Sequence, residues 1–211
     1  LSNVEIVYQP QAGGKVLPVK QYAARVTGLE PLAPDVMKLR LQLADAGSLR
    51  FHAGQYINIL LEDGAKRSFS FAGAPQDGAA QSEFELHVRL VPGGRFTPRV
   101  FTEMRLGDTI RFEGPLGAFT LREDSAKPII FVAGSTGFAP VKSMLEHAFR
   151  RGISRPMILY WGVRRPEDLY LGSLAQQWAR DHPNFTFVPV LSAAQPDDHW
   201  TGRTGLVHEA I

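Results

Sequence analysis

The 211-residue chain contains no cysteine. A disulfide framework, a thiolate zinc site and a cysteine-ligated iron–sulfur cluster are therefore excluded within it. It has no H-E-x-x-H pair among its six histidines, so a resident metal is not expected. It has no long apolar run: the longest, Ile129–Ala133, is five residues, against the ~20 that a membrane helix needs. It has almost no charge excess, with 23 Lys and Arg against 21 Asp and Glu. A protein that works by neutralising nucleic-acid phosphates would show a basic stripe. It has no internal repeat and no low-complexity tract. Its first fifteen residues lack the basic start and apolar core of a signal peptide. These absences lead to an expectation of a cytoplasmic protein that binds neither nucleic acid nor membrane.

What is present changes texture near residue 125. Before it, apolar and polar residues alternate. Met37, Leu39, Leu41 and Leu43 are interleaved with Lys38, Arg40 and Gln42, and Phe84, Leu86, Val88 and Leu90 with Glu83, Glu85, His87 and Arg89. Period two marks half-buried strands. With Ile57–Leu61, Gln21–Gly28, Ser68–Ala72 and Thr109–Glu113 there are six, separated by turns such as Glu62-Asp63-Gly64, Gln76-Asp77-Gly78 and Gly107-Asp108. Six short antiparallel strands predict a small closed β-barrel, because closure removes exposed edges. One short helix is expected at Thr97, with Thr97 as N-cap, Pro98 in the first position and Val100, Phe101 and Met104 on its apolar face.

After residue 125 the pattern becomes β-α-β-α-β-α. Ile129–Ala133 reads as a strand buried on both faces, Met157–Trp161 and Phe185–Leu191 as two more. Val141, Met144, Leu145, Ala148 and Phe149 mark one helix, Leu171, Leu174, Ala175 and Trp178 a second, and Gly205–Ile211 begins a third. This series predicts a doubly wound parallel α/β sheet. Such a sheet continues on the other side of its first strand, so the 126–211 unit is expected to be incomplete at its C-terminus. Residues 1–15, with Gly13-Gly14, read as a linker from an upstream domain, and 16–125 as the barrel.

Three segments carry candidate chemistry. Arg67-Ser68-Phe69-Ser70 places a cation, a ring and a hydroxyl within four residues. Gly93-Gly94-Arg95-Phe96-Thr97-Pro98 leads into a helix start, where free N–H groups favour an anion. Gly134-Ser135-Thr136-Gly137-Phe138-Ala139-Pro140 joins a buried strand to a helix, the position at which doubly wound folds bind pyrophosphate, without the full G-x-G-x-x-G spacing. A competing reading takes Ala133-x-Ser135-x-Gly137 as a variant nucleophile elbow of an α/β-hydrolase, with Asp197 or Asp198 and then His199 or His208 in the order of a triad. The preceding barrel pattern weighs against it. Asp197-Asp198 otherwise read as a solvated turn. His87 reads as lying on a polar face or near a ligand.

Taken in order, the segments resemble the ferredoxin–NADP(+) reductase superfamily over residues 16–211, in the manner of CDP-6-deoxy-glucoseen reductases and the reductases of ring-hydroxylating dioxygenases. Arg67–Ser70 is similar to that family's Arg-x-Tyr-Ser flavin motif, Gly93–Thr97 to its pyrophosphate turn, and Gly114-Pro115-Leu116-Gly117-Ala118-Phe119 to the segment that closes its barrel. Gly134–Pro140 is similar to its nicotinamide-dinucleotide turn, and Tyr160-Trp161-Gly162-Val163-Arg164 to its second-strand turn. The resemblance implies FAD as cofactor and NADH or NADPH as electron donor. Arg67 would pair with an FAD phosphate, Phe69 stack on the flavin ring and Ser70 bond near flavin N5. His87, Val88 and Arg89 would line the ring edge through their backbone, and Gly94, Arg95, Phe96 and Thr97 hold the FAD pyrophosphate. Gly134, Thr136 and Gly137 would approach the NAD(P)H pyrophosphate, with Thr136 near the nicotinamide, and Gly162 and Arg164 face the adenosine half. Ser70 and Thr136 are thus the residues nearest the chemistry.

Two departures accompany the resemblance. Phe69 stands in place of tyrosine and forgoes one hydroxyl contact, worth about 1 kcal/mol. The family's later Cys-Gly-x-Pro segment has no counterpart before Ile211. The implied activity is hydride transfer from NAD(P)H to FAD, then single electrons to an iron–sulfur centre. A [2Fe–2S] ferredoxin domain would lie outside this chain, or a redox partner protein would carry the cluster. The alternative within the same fold is a flavin-binding relay or interaction module that never uses NAD(P)H. Arg164 and Arg165 suit a 2′-phosphate and Asp168 a ribose diol, so the choice of nucleotide stays open.

Overall fold

Alternation in the first half of the chain resolves into six paired strands. The computed structural model describes residues 17–44, 49–76 and 81–211. Strands β1 (Lys20–Ala33), β2 (Val36–Leu43), β3 (Tyr56–Leu60), β4 (Lys66–Ser70), β5 (Glu83–Arg89) and β6 (Thr109–Leu116) form one antiparallel sheet in the order β4-β3-β6-β1-β2-β5. β1 is longer than its periodic stretch because it serves two partners: Lys20–Arg25 pairs with β6 and Ala24–Ala33 with β2. The edges meet just past β4, where Phe71 bridges Leu86 and the Ala72 N–H donates to the Glu85 carbonyl at 2.9 Å. Closure is therefore made by 71–72 against β5. The Gly114–Phe119 segment, expected to close the barrel, instead begins within the mid-sheet strand β6.

The inward set of residues forms the first core: Leu39, Leu41, Ile57, Ile59, Phe71, Leu86, Val88 and Phe112 are all but inaccessible. Burying each such side chain contributes about 1.5–3 kcal/mol. The short helix α1 (Thr97–Thr102) follows β5 and packs Val100 into this core.

In the second half, β7 (Ile129–Gly134), β8 (Met157–Val163) and β9 (Phe185–Leu191) are parallel, and a two-residue strand β10 (Arg203–Thr204) extends them in the order β10-β9-β8-β7. The helices are α2 (Phe138–Arg150) and α3 (Gly172–Asp181). Every step moves the same way across the sheet. Right-handed crossovers then place both helices on one face, where Phe131, Leu159 and Trp161 meet Phe138, Val141, Leu145 and Trp178. The winding does not reverse within the described residues, so a single α-layer stands where helices on both faces were expected. Ile130 and Val132 are accordingly 54% and 44% exposed on the other face, which corrects the reading of Ile129–Ala133 as buried on both sides. The expected third helix is one 3-10 turn, Val207–Glu209. The Glu209 carboxylate accepts the Leu206 N–H at 2.9 Å and Arg203 donates to the Ala210 carbonyl at 2.8 Å, which closes the turn on itself.

One side of α2 fastens the two halves together. Lys142 Nζ donates to the Ala72 carbonyl (3.0 Å), the Ser143 hydroxyl to Gly73 (2.8 Å) and Arg150 to Pro75 (2.7 Å), while Glu146 accepts the Ala74 N–H (3.2 Å). These four bonds grip the strap 72–75, which continues directly from β4. The expected linker 1–15 and the Asp77-Gly78 turn lie outside the described residues. Among those described, no helix is long and apolar enough to cross a membrane.

Candidate functional site

The edge strand β4 presents Arg67 to solvent and leaves Phe69 and Ser70 half-buried. Phe69 reaches Phe96 with ring centroids 5.4 Å apart, so Arg67–Ser70 and the turn before α1 form one surface. That turn is built by Gly93, with φ +72°, and Gly94, whose N–H donates to the Val91 carbonyl at 2.9 Å. A Cβ on Gly94 would lie 2.9 Å from that same oxygen, closer than side chains tolerate. Thr97 is not the N-cap. Phe96 holds that position, anchored by its buried ring, and the Thr97 hydroxyl turns back to accept the Val91 N–H at 2.9 Å. Arg95 pairs with Asp63 of the β3–β4 turn. The Ala65 N–H and the charges of Arg95 and Arg67 hold the Asp63 carboxyl below the usual carboxylate range. Two guanidinium groups thus gather around one carboxylate beside a glycine turn, a setting suited to a phosphate.

β5 separates this surface from the parallel sheet. Its Val88 faces the barrel core, and His87 is 4% exposed rather than on a polar face. His87 Nδ1 lies 3.1 Å from the Tyr170 hydroxyl. Its Nε2 is 3.7 Å from Glu85 Oε1, beyond hydrogen-bond reach, and has no hydrogen-bond partner among the described residues. Lys142 Nζ sits 2.7 Å from both Glu85 and Glu146. Burial alone would raise the Glu85 carboxyl, but the Lys142 ammonium against it outweighs burial and holds it below the usual carboxylate range. Burial pushes His87 below its ordinary 6.5 and Tyr170 above its ordinary 10.0.

A pH dependence follows from these directions. The unfolded chain takes up the His87 proton near 6.5 while the folded chain resists it, so stability falls as pH drops below 6.5. Glu85 adds a second loss, which begins near 4.5 and grows as the pH falls further. Urea midpoints are expected to decline in both windows, and the upper decline is expected to vanish in His87→Gln. A midpoint flat from neutral pH to 4.5 would contradict an uncharged, buried His87.

At the C-terminal ends of β7 and β8 opens a cavity of about 320 Å³, lined by Arg89, Gly134, Ser135, Gly162, Val163, Arg164, Ser192, Gly205, Leu206 and Val207. Open parallel sheets bind ligands at this end. Gly134, Gly162, Arg164 and Arg89 of the expected site meet here; Thr136 and Gly137 lie in the adjoining 3-10 turn, off the cavity wall. A Cβ on Gly162 would come within 2.5 Å of Val207, so this glycine makes room for the chain's last turn as well as for a ligand. Arg164 is exposed, whereas Arg165 is tied to Asp198 at 2.9 Å. Ser192, Leu206 and Val207 carried no sequence signal, since ordinary surface residues reach the wall only through the β9 and β10 connections.

Beside the backbone role expected of it, Arg89 makes side-chain contacts of its own. Its side chain leaves the barrel and donates to Asp35 (2.7 Å), to Asp168 (3.3 Å) and to the Ser135 hydroxyl. This also answers the hydrolase reading. The described partner of the Ser135 hydroxyl is a guanidinium, which cannot accept the proton that a serine nucleophile must lose.

An antiparallel barrel with a basic glycine turn, set against a strand-end cavity in a parallel sheet, is the architecture of a two-cofactor oxidoreductase. Residues 23–121 match the oxidoreductase FAD-binding domain and residues 131–211 the oxidoreductase NAD-binding domain. The chain thus carries an FAD-binding oxidoreductase domain followed by an NAD-binding one. It is 38% identical over 209 residues to the CDP-6-deoxy-L-threo-D-glycero-4-hexulose-3-dehydrase reductase of Yersinia pestis, covering 99% of this chain and 60% of that protein. It is 40% identical over 186 residues to reductase component 2 of terephthalate 1,2-dioxygenase from Comamonas sp., covering 87% and 54%. Among solved structures, the Amycolatopsis cytochrome P450 reductase GcoB superposes with a TM-score of 0.81 at 36% identity, covering 93% of this chain and 59% of that one. The chain thus spans between 54% and 60% of the length of these relatives.

Proposed function

We propose that the chain takes hydride from NADH or NADPH onto FAD and releases the electrons singly to an iron–sulfur centre, carried by a partner protein or by a ferredoxin domain outside these residues. The observation that carries this reading is Arg89: one side chain runs from the strand beside the flavin-type surface to the wall of the strand-end cavity. When bound, the two cofactors supply the redox chemistry, and the protein binds and orients them. The residues present fit both. Arg67 and Arg95 flank a glycine turn, and Gly134 and Gly137 face open space where a Cβ would stand.

In this reading Arg67 holds an FAD phosphate, and Gly94, Arg95, Phe96 and Thr97 cradle the pyrophosphate. Phe69 covers the ring, Ser70 bonds beside its reactive nitrogen, and His87, Val88 and Arg89 border its edge. Gly134, Thr136 and Gly137 receive the nicotinamide dinucleotide, with Gly162 and Arg164 toward its adenosine. Residues 16–125 form the flavin unit and 126–211 the nucleotide unit, with 1–15 as a linker. We further propose that additional polypeptide pairs with the free edge of β7; the exposed Ile130 and Val132 and the greater length of the relatives support it. The proposed compartment is the cytoplasm. Similarity to the two named reductases supports an electron acceptor of the hexulose-dehydrase or dioxygenase kind.

The purified chain is expected to be yellow and to release FAD on denaturation, because the turn at Gly94–Thr97 accommodates a pyrophosphate and FMN has a single phosphate. Chromatography of the released flavin checks this. FMN alone, or no flavin after reconstitution, would contradict the reading.

A further inference from the structure

Among the described residues, two that are not glycine have left-handed backbone, Ser135 with φ 50° and His199 with φ 48°. Ser135 lines the strand-end cavity. Its neighbours Gly134 and Gly137 are free to adopt such a conformation, yet it falls on a residue with a Cβ, which resists it. Something must hold Ser135 there, and two groups do. The Trp161 indole donates to the Ser135 carbonyl at 3.0 Å, and that indole is fully buried and stacked on Phe138 at 3.9 Å. The second is the Arg89 guanidinium on the hydroxyl. Arg89 is itself aimed from two sides, by Asp35 in the β1–β2 turn and by Asp168 after β8. Two carboxylates against one guanidinium leave it little charge with which to attract a phosphate directly.

We propose that Arg89 is a positioning residue for the pyridine nucleotide: by holding the Ser135 hydroxyl, it keeps Ser135 in the left-handed conformation that shapes the cavity wall. This rests on the reading of the cavity as the dinucleotide site. The role is conformational, so it is separable from charge. Glycine adopts positive φ without a side-chain penalty and has no need of the guanidinium. Ser135→Gly therefore restores what loss of Arg89 removes.

The test uses FAD-loaded protein and ADP-ribose, a probe with the dinucleotide's pyrophosphate and no redox chemistry, followed by titration calorimetry. Affinities are expressed per flavin-loaded molecule. Arg89→Met is expected to weaken ADP-ribose about tenfold, the affinity equivalent of the left-handed penalty. Arg89→Met/Ser135→Gly is expected to bind nearly as well as the unmodified chain. Where Arg89→Met does not fold, Arg89→Gln with and without Ser135→Gly gives the same comparison. A loss that Ser135→Gly leaves in place would overturn the proposal and make Arg89 a direct contact. No loss on removing Arg89 would overturn it outright. Failure of the unmodified chain to bind ADP-ribose would overturn the dinucleotide reading itself, and the proposal with it.

Discussion

Lys142→Met is expected to lower the free energy of unfolding by about 3–5 kcal/mol, the cost of breaking a buried ion pair from one side. The Lys142 side chain is 9% exposed and stands between Glu85, at 20%, and Glu146, at 28%. Removing the ammonium leaves two carboxylates facing each other across a low-dielectric seam and orphans the Ala72 carbonyl. Adding Glu85→Gln to Lys142→Met is expected to recover part of the loss, because one of the stranded charges is then gone. Urea denaturation of the three variants measures this. A loss below about 1 kcal/mol for Lys142→Met would place the pair with solvent-screened surface bridges and remove it as the fastening between the halves.

The second large effect concerns flavin. Arg67→Ala is expected to raise the FAD dissociation constant about 10- to 150-fold, the equivalent of a charge-assisted phosphate contact of about 1.5–3 kcal/mol. The fold has little stake in this side chain, which is exposed on an edge strand and, among the described residues, donates to its neighbour's carbonyl, Lys66, at 2.8 Å. Ser70→Ala is expected to retain FAD and to slow its reduction, because its proposed contact is at the reacting end of the ring. Fluorescence titration with FAD and rapid-mixing reduction separate the two effects. Release of FAD by Ser70→Ala with retention by Arg67→Ala would exchange the two roles.

How far such roles could be read in advance depended on whether the signal was local. The alternation of Leu39, Leu41 and Leu43 in β2 and the run at β7 located strands because side-chain period is a property of the strand itself. The same run could not tell which faces would be covered. Ile130 and Val132 are as apolar as Phe131, and their exposure is decided by where α2 and α3 pack. Thr97 has the chemistry of a cap, but the burial of Phe96 fixed the helix start one residue earlier. The Gly93-Gly94 turn was legible because a positive φ and a close Val91 carbonyl require glycine there, whereas a Cβ at Gly134 or Gly137 would meet open space. The links between the halves were not legible. Lys142 looks like an ordinary helix lysine until the strap 72–75 and Glu85 surround it, and Arg89 reaches Ser135 across 46 positions of chain.

Anaerobic mixing of the FAD-loaded chain with NADH, and separately with NADPH, tests most directly whether this chain brings a pyridine nucleotide to its flavin. The account predicts that the yellow absorbance bleaches with at least one of the two, at a rate that saturates with nucleotide concentration. A flavin that dithionite reduces but neither nucleotide does would contradict it, and would leave a flavin-binding relay in its place.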